Sequence, residues 1–276
     1  MYDYERPAIG YGLRGLVYME IQIEGPNKDL HSGGYGGSVA NPLNILSGII
    51  AEMIDSDGRI TIPGFYDDIV PLTDTERAAF TALAFSEDEY AERLGVAELK
   101  GEKGYSTLER IWARPTLDVN GLLGGFTGEG SKTVIASKGM AKVSMRLVPN
   151  QDPEVIAQAF EVYVKKLAPS SVKINILRHG TGKPILTPRD HPAVKAADQA
   201  ITQGFGISPV YIREGGSIPV VATFQERLAL PTVLMGFGLP DCDAHAPNEK
   251  FNLKNFYRGI ISAAWFYQEY SKDSEA

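Results

Sequence analysis

The chain has 276 residues, 43% of them hydrophobic and 22% charged, with 29 glycines, 17 prolines and a formal charge of -7 from 27 Lys+Arg against 34 Asp+Glu. At roughly 100–200 residues per domain the length points to two domains, and the composition excludes a coiled coil, a collagen-like repeat and a wholly disordered chain. The acidic balance argues against a general nucleic-acid binder, and no apolar run reaches the roughly 18–20 residues that span a bilayer.

From Leu16 the sequence alternates, with Val17, Met19, Ile21 and Ile23 against Tyr18, Glu20, Gln22 and Glu24, which predicts a half-buried strand. A glycine-rich loop is expected over 25–37. Asn41-Pro42 then opens a helix, with Asn as cap and Pro at the first helical position and an apolar face of Leu43, Leu46, Ile50 and Met53. Thr73/Glu76, Ser86/Glu89 and Ser106/Glu109 have capping-box spacing, so 56–113 reads as an insertion of short helices. Strand character returns over 116–120 and again where Ala141, Val143, Met145 and Leu147 alternate with Lys142, Ser144 and Arg146. Asp152-Pro153 starts a helix with Val155, Ile156, Ala159, Phe160 and Tyr163 along its buried side, and Val172, Ile174 and Ile176 give a further strand. This order, strand–helix–strand–strand–helix–strand, is the ferredoxin-like βαββαβ arrangement, and it makes residues 15–180 a domain.

Beyond Lys183-Pro184 helices and strands alternate, as in a parallel α/β sheet. Asp190 is expected to cap a helix to about Gly204. Short strands follow at 210–213 and 232–237, with a helix between them that ends near Leu228. A long helix over 252–270 has Phe256, Ile260, Ala264 and Tyr267 in register, and 271–276 reads as a polar tail. Two parallel strands leave a core open, so a pairing element is expected to be missing. The opening Met-Tyr-Asp-Tyr-Glu-Arg-Pro has neither the basic nor the apolar stretch of a secretory signal, and the single Cys242 cannot make an internal disulfide. The expectation is a soluble cytoplasmic protein with no nucleic-acid or membrane partner.

Four histidines are candidates for chemistry. His245, in Asp241-Cys242-Asp243-Ala244-His245, follows an expected strand, a position that ligands and catalytic groups favour; the alternative is a loop histidine satisfied by a neighbouring carboxylate. His31 sits in the glycine-rich loop, His179 at the domain junction as a substrate or hinge residue, and His191 at a helix start as a structural residue. Arg146 faces the polar side of its strand, where its fork can grip a carboxylate or make a cross-strand ion pair. The Gly215-Gly216-Ser217 turn offers amides to an anion. Neither a dinucleotide fingerprint nor a serine-nucleophile elbow is present, and the spacing of Cys242 and His245 does not orient a thiol dyad.

Asp29-Leu30-His31-Ser32-Gly33, Arg146-Leu147-Val148-Pro149-Asn150, Arg213-Glu214-Gly215-Gly216-Ser217-Ile218-Pro219 and Ala244-His245-Ala246-Pro247-Asn248-Glu249 resemble motifs of the carnosinase-type dipeptidases. These belong to the metallopeptidase family that also holds acetylornithine deacetylase and succinyl-diaminopimelate desuccinylase. The resemblance implies a lid (dimerisation) domain at 15–180, with the C-terminal part of an α/β zinc-peptidase domain at 181–276 and a remnant of that domain, or a linker, at 1–14. It implies His245 as a ligand of a two-zinc site, or of another divalent metal such as manganese. It implies that His31, assisted by Thr133, stabilises the oxyanion in the partner subunit of a homodimer, and that Arg146, His179, Gly216 and Ser217 bind a peptide or N-acyl amino acid, with Arg146 at its carboxylate. The family's remaining ligands, on a His-x-Asp strand end, a bridging Asp, a Glu-Glu pair and a further acid, have no match here. The chain therefore resembles the lid plus C-terminal part of a metal-dependent peptidase, inactive in isolation. An N-acyl amino acid deacylase and a non-catalytic dimerisation module are the alternatives.

Overall fold

The computed structural model describes residues 1–272. In chain order its elements are β1 (Ala8–Leu13), β2 (Gly15–Glu24), β3 (Leu30–His31), α1 (Ser32–Tyr35), α2 (Pro42–Ala51), α3 (Asp74–Thr81), α4 (Glu87–Leu94), α5 (Thr107–Trp112) and β4 (Thr116–Gly124). They continue with β5 (Val134–Ile135), β6 (Lys138–Leu147), α6 (Pro153–Leu167), β7 (Lys173–Gly182), β8 (Ile185–Leu186), α7 (Pro192–Phe205), β9 (Val210–Glu214), α8 (Pro219–Leu228) and α9 (Leu253–Lys272). Ser271 and Lys272, read as tail, finish α9; the rest of that tail, 273–276, lies outside the described residues. No helix among the described residues is long and apolar enough to cross a membrane.

The chain divides into two compact units. The larger comprises 14–71 and 87–184; the smaller comprises 1–13, 72–86 and the chain from Ile185 onward. The insertion read over 56–113 is thus split, because 72–86, with α3, clusters with the smaller unit.

The larger unit is ferredoxin-like. Its sheet runs β4-β6-β2-β7, every neighbour antiparallel, with α2 and α6 packed on one face. The alternation of β2 decides which face. Val17, Met19, Ile21 and Ile23 are fully buried together with Ala141, Val143, Met145 and Leu147 of β6 and Ile156, Phe160 and Val164 of α6. Asn41 caps α2, its Oδ1 accepting from the Leu43 amide at 3.0 Å, and Pro42 occupies the first turn. The buried side of each helix differs by one position from the expected stripe. Ile49 rather than Ile50 is buried on α2, and Ala157 and Val164 replace Val155 on α6, where Val155 is 57% exposed. A hydrophobic stripe more than 100° wide leaves the periodic pattern ambiguous by one residue. β7 continues past the expected end at Ile176 to Gly182, so His179 is a strand residue rather than a junction hinge.

The smaller unit contains a three-stranded sheet, β8-β1-β9, in which β1 is parallel to β9 and antiparallel to β8. Its central strand is the segment read as remnant or linker. Gly10 and Gly12 hide it from a periodicity reading, and the space at Gly10 is tight: a Cβ there would lie 2.7 Å from Glu214 Oε1 and 3.1 Å from Leu234 Cβ. The strand expected at 232–237 reduces to one antiparallel bridge, Gly10 with Leu234. The cap of α7 is His191 rather than Asp190, its Nδ1 accepting from the Ala193 amide at 3.1 Å. The stripe expected to bury α9 faces outward instead, with Ile260 54% and Tyr267 75% exposed. Asn255, Gly259 and Ser262 are buried, and a Cβ at Gly204 of α7 would meet the Arg258 carbonyl at 2.7 Å. Close approach through small residues decides which side of α9 packs.

A buried polar cluster ties α3 to this sheet. Arg213 of β9 pairs with Glu76 of α3, and the Tyr11 hydroxyl of β1 donates to Glu76 Oε1 at 2.9 Å. Glu76 also completes the capping box of Thr73. Burial pushes the Glu76 carboxyl up, but the hydrogen bond and charge of Arg213, the Thr73 amide and the Tyr11 hydroxyl outweigh it and hold the group below 4.5. Burial likewise raises the Tyr11 phenol to about 12. A depressed carboxylate stabilises the fold fully above its unfolded value, and that contribution is lost as pH falls through the folded value. Glu76→Gln is expected to cost about 2–3 kcal/mol at pH 7 and to flatten the fall in stability below about pH 4.5. Urea unfolding at pH 7 and pH 4 measures both, and an unchanged acid slope would remove Glu76 from the account.

Candidate functional site

His31 does not ride on a free loop. β3 pairs with β5, Leu30 opposite Ile135 and His31 opposite Val134, and the Ser32 amide donates to the Thr133 carbonyl at 3.0 Å. Asp29 anchors the ribbon: its Oδ1 accepts from the amide and hydroxyl of Ser137 at 2.8 and 2.9 Å, which holds the carboxyl below its ordinary value. His31 caps α1, its Nδ1 accepting from the Gly33 amide at 3.0 Å. Thr133 Oγ1 lies 3.3 Å from the same nitrogen. Since the Gly33 amide can only donate, Nδ1 of the neutral ring is the acceptor and the proton sits on Nε2. The ring is exposed, so an N–H donor faces outward from a fixed support.

Arg146 and His179 lie on the polar face of the larger unit's sheet. Arg146 is half-buried on β6, opposite Leu16 of β2 and Thr116 of β4. His179 occupies the irregularity in β7 where the register shifts between Tyr18 and Met19 of β2. Its Nε2 donates to Glu20 Oε2 at 2.9 Å, and its ring lies 5.8 Å from that of Tyr18. Glu20 also accepts from Lys142 at 2.9 Å and Gln22 at 2.8 Å. Hydrogen bonds from Lys142, Gln22 and His179 hold its carboxyl down at about 2. Glu20 is therefore ionised at any working pH and keeps the His179 proton on Nε2, leaving Nδ1 of the neutral ring as an acceptor. Glu20 was not singled out by the sequence, where it is one polar residue in an alternating run; the lysine opposite it on β6 is the only signal.

The remaining candidates belong to the smaller unit. Gly216 and Ser217 form the turn between β9 and α8, and a Cβ at Gly216 would meet nothing within 4 Å. Ile218 caps α8 with no side-chain hydrogen bond. His245 lies in the loop before α9, exposed, with φ of 65°. Asp243 and Asn248 are also left-handed, at 54° and 65°. In the same loop Lys250 pairs with Asp241 at 2.7 Å. Among the described residues no group of three or more His, Cys, Asp or Glu is arranged to hold a metal ion. His245 alone does not fit a catalytic zinc, which takes three protein ligands.

Residues 11–172 match the family model of the peptidase dimerisation domain, and the chain belongs to this family of M20 peptidases. It is similar to the Cys-Gly metallodipeptidase of Schizosaccharomyces pombe, 36% identical over 259 residues that make up 93% of this chain and 54% of that protein. The Beta-Ala-His dipeptidase of Homo sapiens is 33% identical over 96% of this chain and 53% of its own length. The solved M20 family metallo-carboxypeptidase of Sulfolobus solfataricus superposes with a TM-score of 0.88 at 33% identity, covering 98% of this chain and 61% of that one. The chain thus spans about half the length of the curated relatives it matches.

Nitrogen NMR of histidine-labelled protein at pH 8 is expected to show His31 and His179 as Nε2–H tautomers. An Nδ1–H signal from His31 would contradict its Gly33 and Thr133 contacts.

Proposed function

We propose that the chain is part of a metal-dependent peptidase of dipeptidase type that cleaves a peptide bond near a free carboxyl terminus. In this reading residues 15–180 are the lid, and 181–276, with 1–14, belong to the catalytic domain. The observation that carries it is the outward Nε2–H of His31. A donor fixed from behind by Gly33 and Thr133 is prepared for the charge that develops on a carbonyl oxygen under attack. Arg146 grips the terminal carboxylate, and His179, through Nδ1, accepts a substrate N–H. Gly216 and Ser217, in the turn after β9, also bind the substrate. Two copies pair through the lid, and His31 of one serves the substrate of the other.

The reading gives His245 as one ligand of a metal site, with zinc or another divalent ion. The residues present do not complete that site, so no catalytic step is assigned to it and the isolated chain is expected to be inactive. The same absence of a ligand cluster among the described residues, with a family match over 11–172, supports a second reading in which the chain is a non-catalytic dimerisation module.

Zinc incubation, desalting and elemental analysis should leave less than one ion per chain; two tightly bound ions would overturn this account of the site. Adding the portion of the Schizosaccharomyces pombe relative that this chain does not span separates the readings. Dipeptide turnover supports the peptidase, whereas a stable dimer that never turns over supports the module. In the active assembly His31→Ala should lower kcat by about 100- to 1000-fold, and a loss below about threefold would remove His31 from the oxyanion role. Arg146→Lys should weaken free-carboxylate substrates selectively, and equal loss on carboxamides would exclude the clamp.

A further inference from the structure

We propose that Arg14 is the second guanidinium of the carboxylate clamp built on Arg146, and so a specificity-determining residue for peptides with a free carboxyl terminus. The proposal rests on the substrate reading above and adds a residue to it. Arg14 immediately precedes β2, and β6 lies between β2 and β4 in the sheet. Leu16, Arg146 and Thr116 stand side by side across these three strands. Arg14 Nη1 donates to the carbonyl of Arg114 at 3.3 Å, two residues ahead of Thr116. The side chain therefore starts on the β2 side of β6 and ends on the β4 side, lying across the end of the strand that carries Arg146. Two arginines thus stand at one end of one sheet.

The electrostatics agree with this placement. Burial first, and then the charge of Arg146, lower the Arg14 pKa to about 10, with Asp118 acting in the opposite direction. Arginine does not give up its proton in a protein. The lowered value therefore expresses the cost of keeping two positive groups near each other with little water. An incoming carboxylate relieves that cost and can accept from both planar forks. A merely structural Arg14 would strap the start of β2 to the residues before β4 and gain nothing from an anion.

The test uses the full chain and two probes, glycylglycine and its carboxamide, titrated by NMR against wild type, Arg14→Met, Arg14→Lys and Arg146→Met. Wild type should bind the carboxylate at least about tenfold more tightly than the amide. Arg14→Met should lose most of that preference while its weak amide binding stays the same. Arg14→Lys, which keeps the charge without the fork, should recover only part of it. The melting temperature of Arg14→Met should hold or rise, because one of two like charges is gone. If Arg14→Met keeps the full preference and Arg146→Met loses it, the substrate reading stands and the role of Arg14 is overturned. If wild type shows no preference, the clamp reading itself falls, and this proposal with it. If Arg14→Met unfolds, Arg14→Lys decides: full carboxylate preference there means a strap, and a loss of about tenfold means a clamp.

Discussion

Everything in the larger unit depends on the register between β2 and β6. From Gly15 opposite Leu147 to Glu24 opposite Lys138 the two strands pair without a break. Because side chains alternate with a period of two, this register sends one set of residues under α2 and α6 and the other set outward. Val17, Met19, Val143 and Met145 form the core, while Glu20, Lys142 and Arg146 form the polar face. A slip of β2 by one residue would turn Glu20 and Gln22 toward the helices and expose four fully buried side chains, Val17, Met19, Ile21 and Ile23. Each of those is worth roughly 1.5–3 kcal/mol of apolar burial, so the packing that stabilises the domain also fixes where its polar groups stand.

Glu20 links that core to the candidate site. It is the buried acid on an otherwise outward-facing row, and it is held there by Lys142 from the facing strand, Gln22 from its own strand and His179 from the other neighbour. A carboxylate in such a place must be hydrogen-bonded to be tolerated. Three donors meet that need, and in doing so they fix the orientation of an imidazole ring on β7. The smaller unit repeats the device with Glu76, which holds Arg213 and Tyr11 while capping its own helix. In both units one acid joins elements far apart in sequence.

The ferredoxin-like half was legible in the sequence because its strands alternate cleanly and its helices open on Asn41-Pro42 and Asp152-Pro153, both of which act as caps. The smaller unit was less so, for physical reasons. β1 is buried along its whole length and built around two glycines, so it has no alternation to read. α9 packs through Gly259, Ser262 and Phe266 rather than through Phe256, Ile260 and Tyr267, so the apolar spacing pointed to the wrong side. The candidate site was legible as motifs, but its supports were not. Asp29 and Ser137, or Glu20 and His179, are separated by more than a hundred residues, and nothing local announces that they meet.

His31 and His179 show why a motif is not yet a function. Neutral imidazole offers one donor and one acceptor, and both rings carry their proton on Nε2. The difference lies in which nitrogen the protein occupies. At His31 the amide of Gly33 takes Nδ1, so the ring presents its N–H. At His179 the carboxylate of Glu20 takes the N–H, so the ring presents its lone pair. A developing negative charge is stabilised only by the first arrangement, and a substrate N–H is bound only by the second. The two histidines are therefore not interchangeable. Their separate capacities are set by a backbone amide in one case and a buried acid in the other, and each of those partners is in turn placed by strand pairing.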